Sequence, residues 1–192
     1  MNHLIIFCHP NPTSFNAAIA DSVEAVSAAM GHDIRRRDLY GIGFNPVLTR
    51  VELEAPPRMR AQDVRQEQEF VSWADVLTFV YPVWWTGMPA MLKGYFDRVF
   101  CQDFAYALHG DSMTGLLTGR RALIFSTTGL SSTACDSRGL HEAMAQTTDT
   151  GILELCGIEV LNHAFFGGVA TVSEEVRKSY LSEVVAIVSR HL

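Results

Sequence analysis

The sequence predicts a three-layer α/β architecture, a five-stranded parallel sheet with helices on both faces. Three observations carry that expectation. Continuous apolar runs at 4–8, 74–81 and 121–126 have the pattern of strands buried on both sides. Segments of helical periodicity alternate with the strands along the chain. Glycine and proline mark the joints, and crossovers between such strands give a parallel sheet.

Leu4, Ile5, Ile6, Phe7 and Cys8 read as the first strand. A turn at 9–16 leads into a helix over 17–30, with Ile19, Val23 and Val26 inward and Gly31 closing it. Residues 32–39 read as the second strand. Gly41, Gly43, Pro46, Pro56 and Pro57 make 40–62 a long irregular excursion, of a length associated with function or mobility. A charged amphipathic helix spans 63–73, the third strand 74–81, and a helix with Pro89 in its first turn 89–101. Residues 102–119 form a second loop region with room for a hairpin, and 121–126 the fourth strand. At least one helix lies within 139–155, and the fifth strand over 157–166. Ser173 caps the last helix, 173–192, whose apolar face is Val176, Tyr180, Val184 and Ile187.

With 192 residues, 48% of them hydrophobic, the chain suffices for one domain over 1–192. A net charge of −6 argues against a nucleic-acid partner, because phosphate contacts need a basic surface. Arg35, Arg36 and Arg37 form the one basic run, read as a strand edge or helix-facing surface, with phosphate binding as the alternative. Cys8, Cys101, Cys135 and Cys156 lie far apart without CxxC spacing, so neither a zinc site nor a disulfide framework is expected. Reduced thiols suggest the cytoplasm. The first residues read as a strand rather than a signal peptide. No apolar run approaches the roughly 18 residues that span a bilayer, so no membrane insertion is expected.

Three turns follow strands and should share one edge of the sheet, where ligands bind in such folds. The first, 9–16, opens a helix with Thr13, Ser14 and Asn16. Free amides and hydroxyls there suit a phosphate, and a simple Ser14 cap is the plainer reading. Neither GxGxxG nor a P-loop occurs in it. The second, 82–88, carries Pro82, Val83, Trp84 and Trp85, either as a flat wall for a planar ligand or as core packing. The third offers Thr127, Thr128 and Gly129, with backbone amides and small side chains. Phosphate donors, a flat wall and a polar edge together suit a flavin. No acidic pair, metal cluster or Ser-His-Asp order competes. His109 and His163 read as ordinary surface histidines, and Cys135 as a pocket liner.

At this point three motifs matter: His9 with Thr13-Ser14-Phe15-Asn16, the run from Tyr81-Pro82 through Trp85, Gly87, Pro89 and Ala90 to Leu92-Lys93-Gly94, Phe96 and Arg98-Val99-Phe100, and Thr127-Thr128-Gly129. They resemble the flavodoxin-like NAD(P)H:quinone oxidoreductases, the quinone reductase and modulator of drug activity group, and the likeness runs over almost the whole chain. The resemblance implies a sheet of order 2-1-3-4-5. It implies that His9, Thr13, Ser14, Phe15 and Asn16 hold the flavin's phosphate region. Pro82, Val83, Trp84 and Trp85 would flank its ring, and Thr127, Thr128 and Gly129 would bond its polar edge. His141 is implied as the histidine that handles charge and protons at the substrate. Thr86, Phe104, Tyr106, Leu130 and Cys135 fall on the substrate side, with Phe104 and Tyr106 closing the pocket from the other subunit of a homodimer. FAD is the favoured cofactor, with the Ser14-Phe15-Asn16 turn, the 40–62 loop and Arg177 as its marks, and FMN is the alternative.

Cys135, Leu130 and Leu108 stand where this group is expected to have tyrosine, glycine and tyrosine, which leaves His141 to act alone or with water. The expected reaction is a two-electron ping-pong transfer from NAD(P)H to a quinone, nitroaromatic or azo compound. A flavin-binding regulatory subunit of a potassium efflux or other membrane system is the alternative from another class. A one-electron carrier is a weaker third.

Overall fold

A computed structural model describes residues 1–56 and 59–192. Pro57, counted in the irregular 40–62 segment, lies outside the described residues. In chain order the elements are β1 (Asn2–Phe7), α1 (Phe15–Ala29), β2 (Asp33–Asp38), α2 (Arg50–Glu54), α3 (Gln62–Trp73), β3 (Val76–Pro82), α4 (Ala90–Val99), β4 (Tyr106–His109), β5 (Ser112–Gly115), β6 (Arg121–Thr127), α5 (Ser132–Asp136), α6 (Leu140–Ala145), a π-helix (Gln146–Glu154), β7 (Glu159–Phe166) and α7 (Glu174–His191).

Five strands pair in parallel in the order β2-β1-β3-β6-β7. This is the expected 2-1-3-4-5, because the fourth and fifth expected strands are β6 and β7. The β4–β5 hairpin is a separate antiparallel pair in the second loop region.

Alternation along each strand divides the core into two halves. Ile5, Phe7, Leu123 and Phe125 meet Ile19 and Val23 of α1 and Val184 and Val188 of α7 on one face. Leu4, Ile6, Leu77 and Phe79 meet Val71 of α3, Leu92 and Phe96 of α4 and Leu153 of the π-helix on the other. Every residue of β3 is buried, so this central strand is fixed in register from both sides.

The 40–62 excursion is more ordered than its prolines and glycines suggest. Thr49 and Glu52 form a reciprocal capping box that starts α2. Arg98 of α4, its side chain 3% exposed, pairs with Glu52 and Asp63. Its guanidinium also donates to the Asn45 carbonyl at 2.6 Å and lies 5.2 Å from the Phe44 ring centroid. Gly94 lets the Pro46 backbone approach α4 so closely that a Cβ would collide with it.

The three arginines of β2 are engaged within the fold. Arg35 and Arg37 stack on Trp73 and Phe70 at 4.3 and 4.4 Å, and Arg37 also pairs with Glu67 at 2.6 Å. Arg36 pairs with Asp21 and covers the Phe7 ring. The helix-facing reading of this run is the one the contacts follow.

Within 139–155, α6 continues into the π-helix. Thr148 and Leu153, five residues apart, are its buried residues, a spacing that suits the wider turn. Asp149 is tied from this helix to His163 of β7 at 2.8 Å.

Candidate active site

The turns after β1, β3 and β6 all leave the carboxyl edge of the sheet. In the first turn, Ser14 caps α1 by accepting from the Ala17 amide at 3.2 Å. The N–H groups of Phe15 and Asn16 find no acceptor among the described residues. Thr13 differs from the sequence reading, because its hydroxyl and amide both donate to the Asn11 side chain at 2.9 Å, which consumes the hydroxyl as a donor. His9 Nδ1 lies 2.9 Å from the Asn11 backbone nitrogen and 3.1 Å from its carbonyl oxygen, which holds the ring against the turn. Asn16 is 3% exposed and donates to Thr127 Oγ1 at 2.9 Å, while its Oδ1 is buried without a partner.

The second turn is tight and strained. Trp84 and Gly87 exchange backbone hydrogen bonds of 2.9 and 3.2 Å around Trp85 and Thr86. Both central residues have left-handed backbone, with φ of 53° and 57°. Such conformations cost of order 1–3 kcal/mol each for non-glycine residues and cluster at ligand clamps. Trp84 is 43% exposed and Trp85 fully exposed, so neither packs in the core. His9 lies 6.3 Å from the Trp84 ring.

In the third turn the Thr127 carbonyl accepts from Val83 at 2.7 Å and joins two of the turns. The Thr128 amide donates to Phe166 at 2.9 Å and its hydroxyl to Leu130 O at 2.7 Å. Its N–H is therefore unavailable to a ligand. Gly129 and Leu130 keep amides without acceptors among the described residues. A Cβ on Gly129 would meet nothing within 4 Å.

Val83, Trp85, Thr86, Thr128, Gly129, Leu130 and Cys135 line one cavity of about 330 Å³. Leu140 and Met144 of α6 complete it, and no sequence motif points to either. Cys135 lies 4.0 Å from Thr128 Oγ1. All four thiols are free.

Other expected residues lie elsewhere in this chain. Tyr106 lines a separate cavity of about 590 Å³ between α4, the hairpin and the π-helix. Phe104 packs against the core on the same side. Arg177 holds the Val169 and Val172 carbonyls, one turn from Tyr180, whose ring is 6.3 Å from Phe15. His141 follows Leu140 but turns into an adjoining groove of about 450 Å³. There its Nδ1 meets Asp136 at 2.7 Å and its ring stacks on Phe165 at 4.4 Å. His141 and Asn162 both line this groove, and His141 Nε2 and Asn162 Oδ1 are buried without partners among the described residues.

His163 corrects the surface reading, for its side chain is only 4% exposed. It joins Ser126 Oγ at 3.0 Å to Asp149 at 2.8 Å, a Ser-His-Asp order that the sequence did not reveal. Ser126 is fully buried and lines none of these cavities, so this chain of bonds has no accessible nucleophile. It pins the π-helix to β6 and β7.

The residues present fit a flavin. Unpaired amides at the start of α1 suit a phosphate, the orphaned Asn16 oxygen lacks a donor, and open space at Gly129 adjoins a flat indole.

Residues 1–191 match the family described as having a flavodoxin-like fold. An uncharacterized NAD(P)H oxidoreductase from Haemophilus influenzae is 38% identical over 94% of this chain and 91% of that one. NAD(P)H dehydrogenase [quinone] 1 from Cavia porcellus is 30% identical over 93% of this chain and 73% of its own. Among solved structures, the NAD(P)H:quinone oxidoreductase from Methanothermobacter marburgensis superposes with a TM-score of 0.86 at 25% identity, covering 100% of this chain and 98% of that one. Sheet order and relatives agree, and the chain belongs to the flavodoxin-like NAD(P)H:quinone oxidoreductase family.

Proposed function

We propose that the protein is a flavin-dependent NAD(P)H:quinone oxidoreductase working by a two-electron ping-pong cycle. Two strand-end turns wall one cavity with Val83, Trp85, Thr128 and Gly129, the Asn16 side chain ties the first turn to Thr127 at 2.9 Å, and this meeting carries the reading. A bound flavin supplies hydride chemistry, taking two electrons from NAD(P)H and passing them to the acceptor. The amides of Phe15 and Asn16, with His9 and Ser14, would hold its phosphate. Trp84 and Trp85 would flank its ring, and Asn16 Oδ1 would accept from its polar chain. The Gly129 and Leu130 amides would bond its polar edge and stabilise negative charge there.

FAD is proposed over FMN because Arg177 and Tyr180 continue the site from Phe15 along α7. The 40–56 part of the long loop belongs to the opposite face of the sheet and adds no support to that choice. Exposed Val47, Val51, Leu53 and Met113, near the cavity that holds Tyr106, support a homodimer contact on that side. Within such a dimer Phe104 and Tyr106 would serve the partner's pocket. Free thiols fit the cytoplasm. No described helix is long and apolar enough to cross a membrane.

His141 is proposed to hold and deliver a proton beside the cavity. Asp136 orients its Nδ1 and leaves Nε2 unpartnered. His141→Ala should lower quinone turnover about tenfold or more at equal flavin content. Unchanged turnover removes His141 from the mechanism. The reading as a whole is tested by purifying the coloured protein, identifying the extracted flavin by chromatography, and following NAD(P)H oxidation with a naphthoquinone. FAD and rapid turnover are expected. Bound flavin with negligible turnover would favour a regulatory subunit instead.

A further inference from the structure

β7 carries His163 and Phe165 on one face, and both line the groove that holds His141. Phe165 is enclosed between two imidazoles. Its ring centre lies 3.9 Å from that of His163 and 4.4 Å from that of His141, with interplanar angles of 23° and 17°. The inner imidazole is locked, because His163 binds Asp149 through Nδ1 at 2.8 Å and Ser126 Oγ through Nε2 at 3.0 Å. The outer imidazole is held at one nitrogen. Asp136, its side chain 64% exposed, meets His141 Nδ1 at 2.7 Å, and so exposed a pair constrains a ring little. The backbone beneath His141 adds little more, since α6 is six residues long, follows Gly139 at φ 64° and has no side-chain cap. Stacking on Phe165 is therefore the contact that sets the plane of the His141 ring. A carboxylate only accepts, so His141 Nδ1 carries a proton, and Nε2 is the atom that takes up and releases another.

We propose that Phe165 and His163 are positioning residues for His141. The bonds of His163 to Asp149 and Ser126 fix the face on which Phe165 packs, and Phe165 fixes the imidazole and with it the direction of Nε2. The proposal rests on the proton role assigned to His141 above. A hydride brings a quinone two electrons and one proton, and the hydroquinone needs one proton more. That proton leaves His141 Nε2 and is replaced from solvent along the groove of about 450 Å³. Proton transfer requires the donor within hydrogen-bond reach of its acceptor, so a ring free to turn out of its plane transfers more slowly.

The test uses the flavin-loaded protein with NAD(P)H and 1,4-naphthoquinone, compared at equal flavin content. Phe165→Leu stays apolar but loses the plane, whereas Phe165→Tyr keeps it. Phe165→Leu should lower kcat about fivefold with KM changed less than about twofold, and Phe165→Tyr should recover most of the loss. In a His141→Ala background Phe165→Leu should have no further effect, because the ring it positions is gone. Proton NMR of the oxidised protein gives a reading independent of turnover. The His141 ring resonance, assigned by its loss in His141→Ala, should lie upfield in the stacked wild type. It should return toward the free-histidine position in His163→Asn, which retains Phe165. If His163→Asn does not fold, Phe165→Leu in the two backgrounds decides alone. An additive loss in the double variant, or a His141 resonance that His163→Asn leaves in place, overturns the proposal while the proton role of His141 stands. Unchanged turnover in His141→Ala overturns that role and this proposal together. A wild type that does not reduce the quinone overturns the reductase reading and the proposal with it.

Discussion

Replacing Arg98 with alanine is expected to lower the unfolding free energy by about 3 kcal/mol, near the lower end of the range for breaking a buried ion pair. Its guanidinium is 3% exposed and serves Glu52, Asp63 and the Asn45 carbonyl together. Removing it strands two carboxylates, and Asp63, 43% exposed, recovers part of its loss through water. Burial pushes the Glu52 and Asp63 carboxyls up, but hydrogen bonds and charge from Arg98 win and hold both below the usual carboxylate range. Their contribution is therefore present above that range and lost as pH falls below it through their lowered values. Urea unfolding is the measurement. Arg98→Lys should recover only part of the loss, because an ammonium cannot reproduce the fork that spans Glu52 and Asp63. A shift below about 1 kcal/mol would mean that the loop is held by its apolar contacts instead.

Acidification should expose the second large effect through His3. This ring is fully buried between Ser27 Oγ at 2.9 Å and Thr78 Oγ1 at 2.7 Å. Burial, with a smaller contribution from His32, lowers its pKa from 6.5 to about 4. The unfolded chain takes up a proton below 6.5 and the folded chain does not until about 4. Between those values the unfolded state binds more protons, so the contribution is complete above 6.5 and is lost as pH falls toward 4. The full loss corresponds to roughly 3 kcal/mol. Denaturant unfolding at pH 7 and pH 4.5 should show most of it, and His3→Gln should show a flatter dependence over the same window. Parallel pH profiles for the two proteins would contradict the burial account.

The parts of the fold that could be read from sequence are those whose signal is local. β1, β3 and β6 are buried on both faces, so unbroken apolar runs announce them. Ser14 was readable as a cap because a hydroxyl before an alanine-rich helix has few other uses. What the sequence hid depends on distant partners. His163 looks like any polar residue of an edge strand until Asp149, 14 residues away, and Ser126, 37 residues away, close on it. Apolar periodicity could not announce the π-helix, since Thr148, one of its two buried residues, is polar. α2 is five residues long and set among prolines, and only the Thr49–Glu52 box marks it. In the site, the Thr128 amide reads as a free donor from sequence alone, and only the distant β7 carbonyl of Phe166 takes it. The Asn11-Pro12-Thr13 sequence did carry the Asx-turn signal that removes the Thr13 hydroxyl.

The edge formed by 9–16, 82–88 and 127–130 is proposed to hold a flavin. Its most direct measurement is titration of flavin-free protein with FAD and, separately, FMN, followed by visible absorbance and tryptophan fluorescence. Saturable binding, a perturbed flavin spectrum and quenching of the exposed Trp84 and Trp85 are expected, with FAD the tighter ligand. Protein that stays colourless after removal of excess of either flavin, with its tryptophan emission unchanged, would contradict the account.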